Sequence, residues 1–120
     1  MKARESVENY LEAILVLQET KDVRAIDIVQ HLGFSKPSIS IAMKKLKEKA
    51  LITIDKNNII SLTDNGLLLA EKTLEKHNLL TEILISIGVS EAVARSEACS
   101  IEHIISDETF KCIKNKFITH

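Results

Sequence analysis

The sequence predicts a mainly α fold that carries one short β-hairpin. Three observations lead there. Apolar residues recur at spacings of three and four over most of the chain, as they do on one face of a helix. Two β-prone runs, Leu51–Ile54 and Ile59–Leu62, are separated only by the polar Asp55-Lys56-Asn57-Asn58, a hairpin turn. The 120 residues are 45% apolar, with three Phe, one Tyr and no Trp. That length and content suit one domain, or one compact domain with a small helical annex. So few aromatic rings leave little to stack bases on, which argues against a single-strand or RNA binder.

In chain order, Ser6 is placed to cap a helix running to about Thr20, with Val7, Tyr10, Leu11, Ile14 and Leu17 on one face and Glu8, Glu12 and Glu19 off it. After the polar break Thr20–Asp22, a short helix is expected from about Ala25 to Leu32, ended by Gly33. Ser35 caps the next helix, with Pro37 in its first turn, where a missing N–H does no harm. This helix reaches about Lys49, with Ile39, Met43 and Leu46 as the buried seam. After the hairpin, Thr63 caps a long helix that continues through Ile87 and stops at Gly88. Ser90 starts a helix to about Ile105, and Ser106 starts the last one.

The formal net charge is -1, so the chain as a whole is no polycation. Its charge is segregated instead. Gly33–Asn58 carries Lys36, Lys44, Lys45, Lys47, Lys49 and Lys56 against Glu48 and Asp55, whereas Glu91–Glu108 carries Glu91, Glu97, Glu102, Asp107 and Glu108 against Arg95. A basic middle and an acidic tail fit one part that meets phosphate and another that meets a cation. Met1–Tyr10 is charged and polar, unlike a signal peptide, and no apolar run approaches the ~20 residues of a membrane span. The two cysteines, Cys99 and Cys112, form no disulfide framework, so a cytoplasmic protein with reduced thiols is expected.

The order helix, glycine turn, serine-capped helix, hairpin is that of a winged helix-turn-helix, in which the second helix enters the DNA major groove. Ser35, Ser38 and Ser40 can hydrogen-bond phosphates or base edges; Pro37 shapes the first turn; Lys36, Lys44 and Lys47 neutralise phosphates; Ile41 packs on a thymine methyl; Lys56 and Asn57 sit at the wing tip. No Arg lies on this helix, so modest direct readout and strong dependence on phosphate contacts and DNA shape are expected.

The second signal is Cys99-Ser100-Ile101-Glu102-His103. On a helix, Cys99, Glu102 and His103 share a face, and thiolate, carboxylate and imidazole together suit a first-row divalent metal. Three ligands do not close a site, so further donors are needed; His77, Asn9 and Glu12 are the candidates. Cys112 has no such companions and reads as structural.

These motifs together resemble the iron- and manganese-dependent repressor family, of the diphtheria toxin repressor and manganese transport regulator type. The resemblance runs over nearly the whole chain, through Glu8-Asn9-Tyr10-Leu11-Glu12, Ser35-Lys36-Pro37-Ser38-Ile39-Ser40, Leu62-Thr63-Asp64-Asn65-Gly66, Lys76-His77 and Glu97-Ala98-Cys99-Ser100-Ile101-Glu102-His103. It implies a DNA-binding domain over 1–70 and a helical dimerisation and metal-binding domain over 71–120, in a short form without an SH3-like domain. It also implies that His77, Cys99, Glu102 and His103 are ligands, with a first-helix residue completing the site. Cys99 resembles the iron branch and Glu12 the manganese branch; Asn9 stands where the iron branch has Met and the manganese branch Asp. Thr81 and Arg95 replace a carboxylate and a histidine of the iron branch's ancillary site, which implies one principal metal per subunit.

The resemblance thus implies a repressor, not an enzyme, that binds double-stranded operator DNA as a homodimer when loaded with Fe(II) or, next, Mn(II). It has no membrane and no small-molecule substrate among its partners. The competing reading is a metal-independent or thiol-responsive winged-helix regulator sensing through Cys99.

Overall fold

The structure, a computed structural model, describes residues 2–118, with side chains for residues 7–117. Its elements are α1 (Lys2–Gln18), α2 (Ala25–Leu32), α3 (Lys36–Glu48), β1 (Ile52–Ile54), β2 (Ile60–Leu62), α4 (Asp64–Ser86), α5 (Glu91–Ile101) and α6 (Asp107–Ile118). The chain divides into two compact units between Glu71 and Lys72, within α4.

In the first unit, α1 begins at Lys2, before Ser6, and the Ser6 cap lies outside the described side chains. The expected stripe is buried at Tyr10, Leu11 and Ile14, but so are Ala13 and Leu15. Burial on more than one face of α1 takes Glu8 with it, at 6% exposure, although its position lies off the apolar stripe. The α1 ring Tyr10 meets Phe34 edge-on at 6.0 Å, a favourable aromatic geometry that fastens the turn between α2 and α3. Gly33 ends α2 at φ 76 with its N–H on the Val29 carbonyl at 2.8 Å, as a left-handed C-cap requires. Ile39, Met43 and Leu46 of α3 are all buried.

β1 and β2 pair antiparallel in the register Ile52↔Leu62, Thr53↔Ser61 and Ile54↔Ile60, and β2 also touches Val23 through an isolated bridge. Asp55 shapes the turn, its Oδ1 accepting from the N–H groups of Asn57 at 2.8 Å and Ile59 at 2.9 Å. Asn58 takes the left-handed conformation at φ 65 that Asn tolerates. Thr63 caps α4 as expected, with Oγ1 accepting from Gly66 N at 3.1 Å and donating to Ala50 O at 2.7 Å.

One stability prediction arises at the start of α2. Asp27 Oδ2 accepts from the Arg24 N–H at 2.8 Å, and Oδ1 meets Lys21 Nζ at 2.5 Å. The Lys21 ammonium first, and the Arg24 amide second, hold the Asp27 carboxyl below its ordinary value. A depressed folded value means the charged form is the stabilised one. The contribution is full above the usual aspartate range and is lost as pH falls through the lower folded value. Asp27→Ala is expected to cost about 1 kcal/mol at pH 7. Urea melts at pH 7 and in strong acid should show the gap to wild type narrowing in acid; a constant gap would refute the charge-based part.

In the second unit, Leu79, Leu80, Ala94, Ala98 and Phe110 are buried. α5 ends at Ile101 rather than near Ile105, and the chain turns on through a tighter bond, Ile104 N to Ile101 O at 3.0 Å. Ser106 Oγ caps α6 by accepting from Thr109 N at 3.1 Å. Ion pairs tie α6 to α4: Lys72 Nζ lies 2.8 Å and Lys76 Nζ 3.5 Å from the two Asp107 oxygens, and Lys114 Nζ lies 2.6 Å from Glu75. No helix among the described residues is long and apolar enough to cross a membrane.

Candidate metal centre and nucleic-acid interface

In the second unit, α4 and the end of α5 bring four of the expected ligands together. Glu102 is the C-cap of α5, its N–H on Ala98 O at 2.9 Å, and its residue exposure is only 2%. Its carboxylate faces two imidazoles, with His77 Nδ1 3.2 Å from Oε2 and His103 Nε2 3.4 Å from Oε1. The donor atoms of Cys99, Glu102 and His103 all lie within 4.8 Å of one another. His103 is buried, whereas Cys99 is exposed, and both cysteines are free thiols.

The helix stops before Glu102, yet the residues that follow keep near-helical geometry, so the three- and four-residue spacing still gathers the donors. His77 Nδ1 is buried and makes no hydrogen bond among the described residues, despite lying 3.2 Å from a carboxylate oxygen. Imidazole nitrogens facing the two oxygens of a buried carboxylate, with an exposed cysteine sulfur within 4.8 Å of the Glu102 and His103 donors, are the chemistry of a cation site.

Asn9 and Glu12 are three apart on α1, in the first unit, and both are half-buried. Thr81 donates its hydroxyl hydrogen to its own helix at His77 O, 2.7 Å away, and Arg95 pairs with Glu91 at 2.9 Å on the surface of α5.

In the first unit, the expected DNA-facing residues of α3 share a solvent-exposed side. Lys36, Pro37, Ser38, Ser40, Ile41, Lys44 and Lys47 are all exposed, Ile41 at 59%. Ser35 is spent on local structure: its Oγ accepts from Ser38 N at 3.3 Å and donates to Ser38 Oγ at 2.9 Å. Lys56 and Asn57 stand exposed at the hairpin turn. A cleft of about 470 Å³ opens between α2, α3 and the hairpin, lined by Ser40, Lys44, Lys47, Asn58 and Arg24. Sequence reasoning passes over Arg24, because the basic segment is counted from Gly33 and Arg24 falls between the polar break Thr20–Asp22 and the helix that starts at Ala25.

Two family profiles match this chain: the iron-dependent repressor N-terminal DNA-binding domain over residues 2–58, and the iron-dependent repressor metal-binding and dimerisation domain over residues 63–118. The transcriptional regulator MntR of Escherichia coli O6:H1 is 31% identical over 112 residues, covering 92% of this chain and 72% of that protein. The diphtheria toxin repressor of Corynebacterium jeikeium is 31% identical over 107 residues, 87% of this chain and 44% of that protein. Among solved structures, the manganese regulator SloR superposes with a TM-score of 0.82 at 28% identity, over 92% of this chain and 52% of its own. The metal-dependent transcriptional regulator MtsR gives 0.86 at 26% identity, over 92% and 52%. The chain thus spans about half the length of these solved structures. By sequence and by fold, this chain belongs to the iron-dependent repressor family of metal-dependent transcriptional regulators, with the DNA-binding segment first and the metal-binding and dimerisation segment second.

Proposed function

We propose that this chain is a cytoplasmic repressor that binds double-stranded operator DNA as a homodimer when it holds a divalent metal, Fe(II) first and Mn(II) next. The observation that carries the reading is the buried Glu102 carboxylate with His77 Nδ1 at 3.2 Å and His103 Nε2 at 3.4 Å. A buried carboxylate facing two imidazole nitrogens is a donor set that suits a first-row divalent ion. His77, Cys99, Glu102 and His103 are the ligands in this proposal, completed by Glu12 or Asn9 of α1. Glu12 brings a charged donor where Asn9 brings a neutral one. The Cys99 thiolate favours Fe(II) over Mn(II), the harder ion. Thr81 and Arg95 are engaged with other groups, which supports one principal metal per subunit.

When bound, the cation supplies charge neutralisation and directional bonds to these donors. The protein's own residues do the rest. Residues 1–70 read DNA: Ser38 and Ser40 hydrogen-bond phosphates or base edges, Ile41 packs on a thymine methyl, Lys36, Lys44 and Lys47 neutralise phosphates, and Lys56 and Asn57 meet the neighbouring backbone. Ser35 and Pro37 set the start of the reading helix. Residues 71–120 dimerise and hold the metal; the exposed Ile85, Ile87, Val93, Ile104 and Phe117 supply apolar surface for a second copy. The site is a switch and not a catalyst.

Anaerobic loading with Co(II) tests the ligand assignment without DNA. A thiolate–Co(II) charge-transfer band in the near ultraviolet is expected for wild type and for Cys112→Ser, and is lost in Cys99→Ser. A band that survives Cys99→Ser removes Cys99 from the site.

A further inference from the structure

The residue before α2 reaches the wing. Arg24 has an extended backbone, φ -124 and ψ 167, and its N–H is pinned to Asp27 Oδ2 at 2.8 Å, which fixes the direction in which its side chain leaves. From there Arg24 Nε donates to the main-chain carbonyl of Asn57 at 3.2 Å, across 33 residues of sequence. Its neighbour Val23, 1% exposed, accepts from Ile60 N at 2.7 Å. Two consecutive residues therefore hold the hairpin at two points, one in β2 and one in the turn.

The hairpin needs that grip. Each strand has three residues, and a two-stranded hairpin of that size has little stability of its own. Asp55 holds the turn together internally through Asn57 N and Ile59 N, but nothing in those bonds fixes where the turn lies against α3. The Arg24–Asn57 bond ties the turn to the start of α2, which packs against α3. Arg24 also lines the cleft that Lys44 and Lys47 of α3 share with Asn58 of the hairpin.

We propose that Arg24 is a positioning residue for DNA binding: it sets where the wing tip stands relative to the recognition helix, and acts on affinity through Lys56 and Asn57. The inference rests on the DNA-binding reading above. Without the bond, the tip samples other positions, and affinity falls by the fraction of molecules whose wing is competent. Lysine is no substitute. Its chain places a methylene where Arg has Nε, so charge is kept while the sideways donor is lost.

The test compares the full chain with Arg24→Ala, Arg24→Lys, Lys56→Ala and Arg24→Ala/Lys56→Ala, all metal-loaded. Amide hydrogen exchange without DNA and anisotropy on a promoter duplex at fixed salt are the two readouts. Both Arg24 variants are expected to exchange the Asn57 and Ile59 amides about fivefold faster or more, with α2 and α3 unchanged. Both should bind the duplex about five- to tenfold more weakly. On the Lys56→Ala background, Arg24→Ala should cost less than about twofold, the non-additivity of residues that act through one another. Wild-type affinity in Arg24→Lys, or fully additive losses, would make Arg24 a direct phosphate contact and overturn the proposal. Unchanged wing exchange would overturn it as well. If no duplex binds even the wild type, the DNA reading itself fails, while the exchange data still decide whether Arg24 holds the wing.

Discussion

Glu102→Gln is expected to abolish the metal response of DNA binding while leaving the metal-free protein at least as stable as wild type. The two effects have opposite signs because they act on different states. In metal-free protein, Glu102 is an almost wholly buried carboxylate facing two imidazoles. An amide of the same shape avoids the cost of burying a charge, which offsets the contacts it loses, so a neutral or slightly stabilising change of about 1 kcal/mol or less is expected. In the loaded protein the same change removes an anionic donor from the centre of the set. Metal affinity should fall by about 100-fold or more, beyond the 10–100-fold typical of lost outer partners. DNA affinity in saturating wild-type metal should then drop to its value in EDTA, a loss on the order of 10–100-fold at common coupling energies. Thermal melts in EDTA, metal titration and duplex anisotropy report these separately. A variant that melts far below wild type in EDTA would make Glu102 a structural residue; one that keeps the metal response would remove it from the ligands.

Gly66→Ala is the second large effect, and its sign runs against helix propensity. In an exposed helix this change stabilises by about 1 kcal/mol. Gly66 lies in the first turn of α4, where a Cβ would stand 1.9 Å from Leu51 O and 2.9 Å from Leu51 C. Both are backbone atoms, so no rotamer relieves the overlap. The helix start must back away, and with it the bonds that seat it: Thr63 N to Leu51 O at 3.1 Å, and Thr63 Oγ1 to Ala50 O at 2.7 Å. A loss of about 3 kcal/mol is expected, which lowers the midpoint by on the order of 10 °C or more. Circular dichroism melts decide it; a midpoint within a few degrees of wild type would mean the close approach is not a constraint.

The parts of the fold that follow from local chemistry were legible in the residues. Gly33 announces its left-handed cap, Ile39, Met43 and Leu46 announce the seam of α3, and Asp55–Asn58 announces the hairpin turn, because each feature is decided within a few residues. The cluster of Cys99, Glu102 and His103 was legible for the same reason: the three are neighbours by helical spacing alone. What escaped depended on distant partners. Glu8 is buried because α1 is covered on more than one side, which its periodicity cannot state. α5 ends at Ile101 although no glycine or proline marks the place. Arg24 finds a main-chain carbonyl 33 residues away, and a carbonyl acceptor leaves no trace in residue identity. Gly66 read as part of a motif, but its reason, the backbone of Leu51, appears only when the residue before β1 and the start of α4 are seen together.

The metal switch itself is tested most directly by anaerobic anisotropy of a labelled promoter fragment from the protein's own locus, titrated with protein in EDTA, in Fe(II) and in Mn(II). Binding tighter by about tenfold or more with metal than in EDTA is expected, with Fe(II) at least as effective as Mn(II) if the Cys99 thiolate governs the choice. Equal affinity in EDTA and in either metal would contradict the switch, leave the winged helix as a metal-independent DNA reader, and turn attention to the thiol chemistry of Cys99.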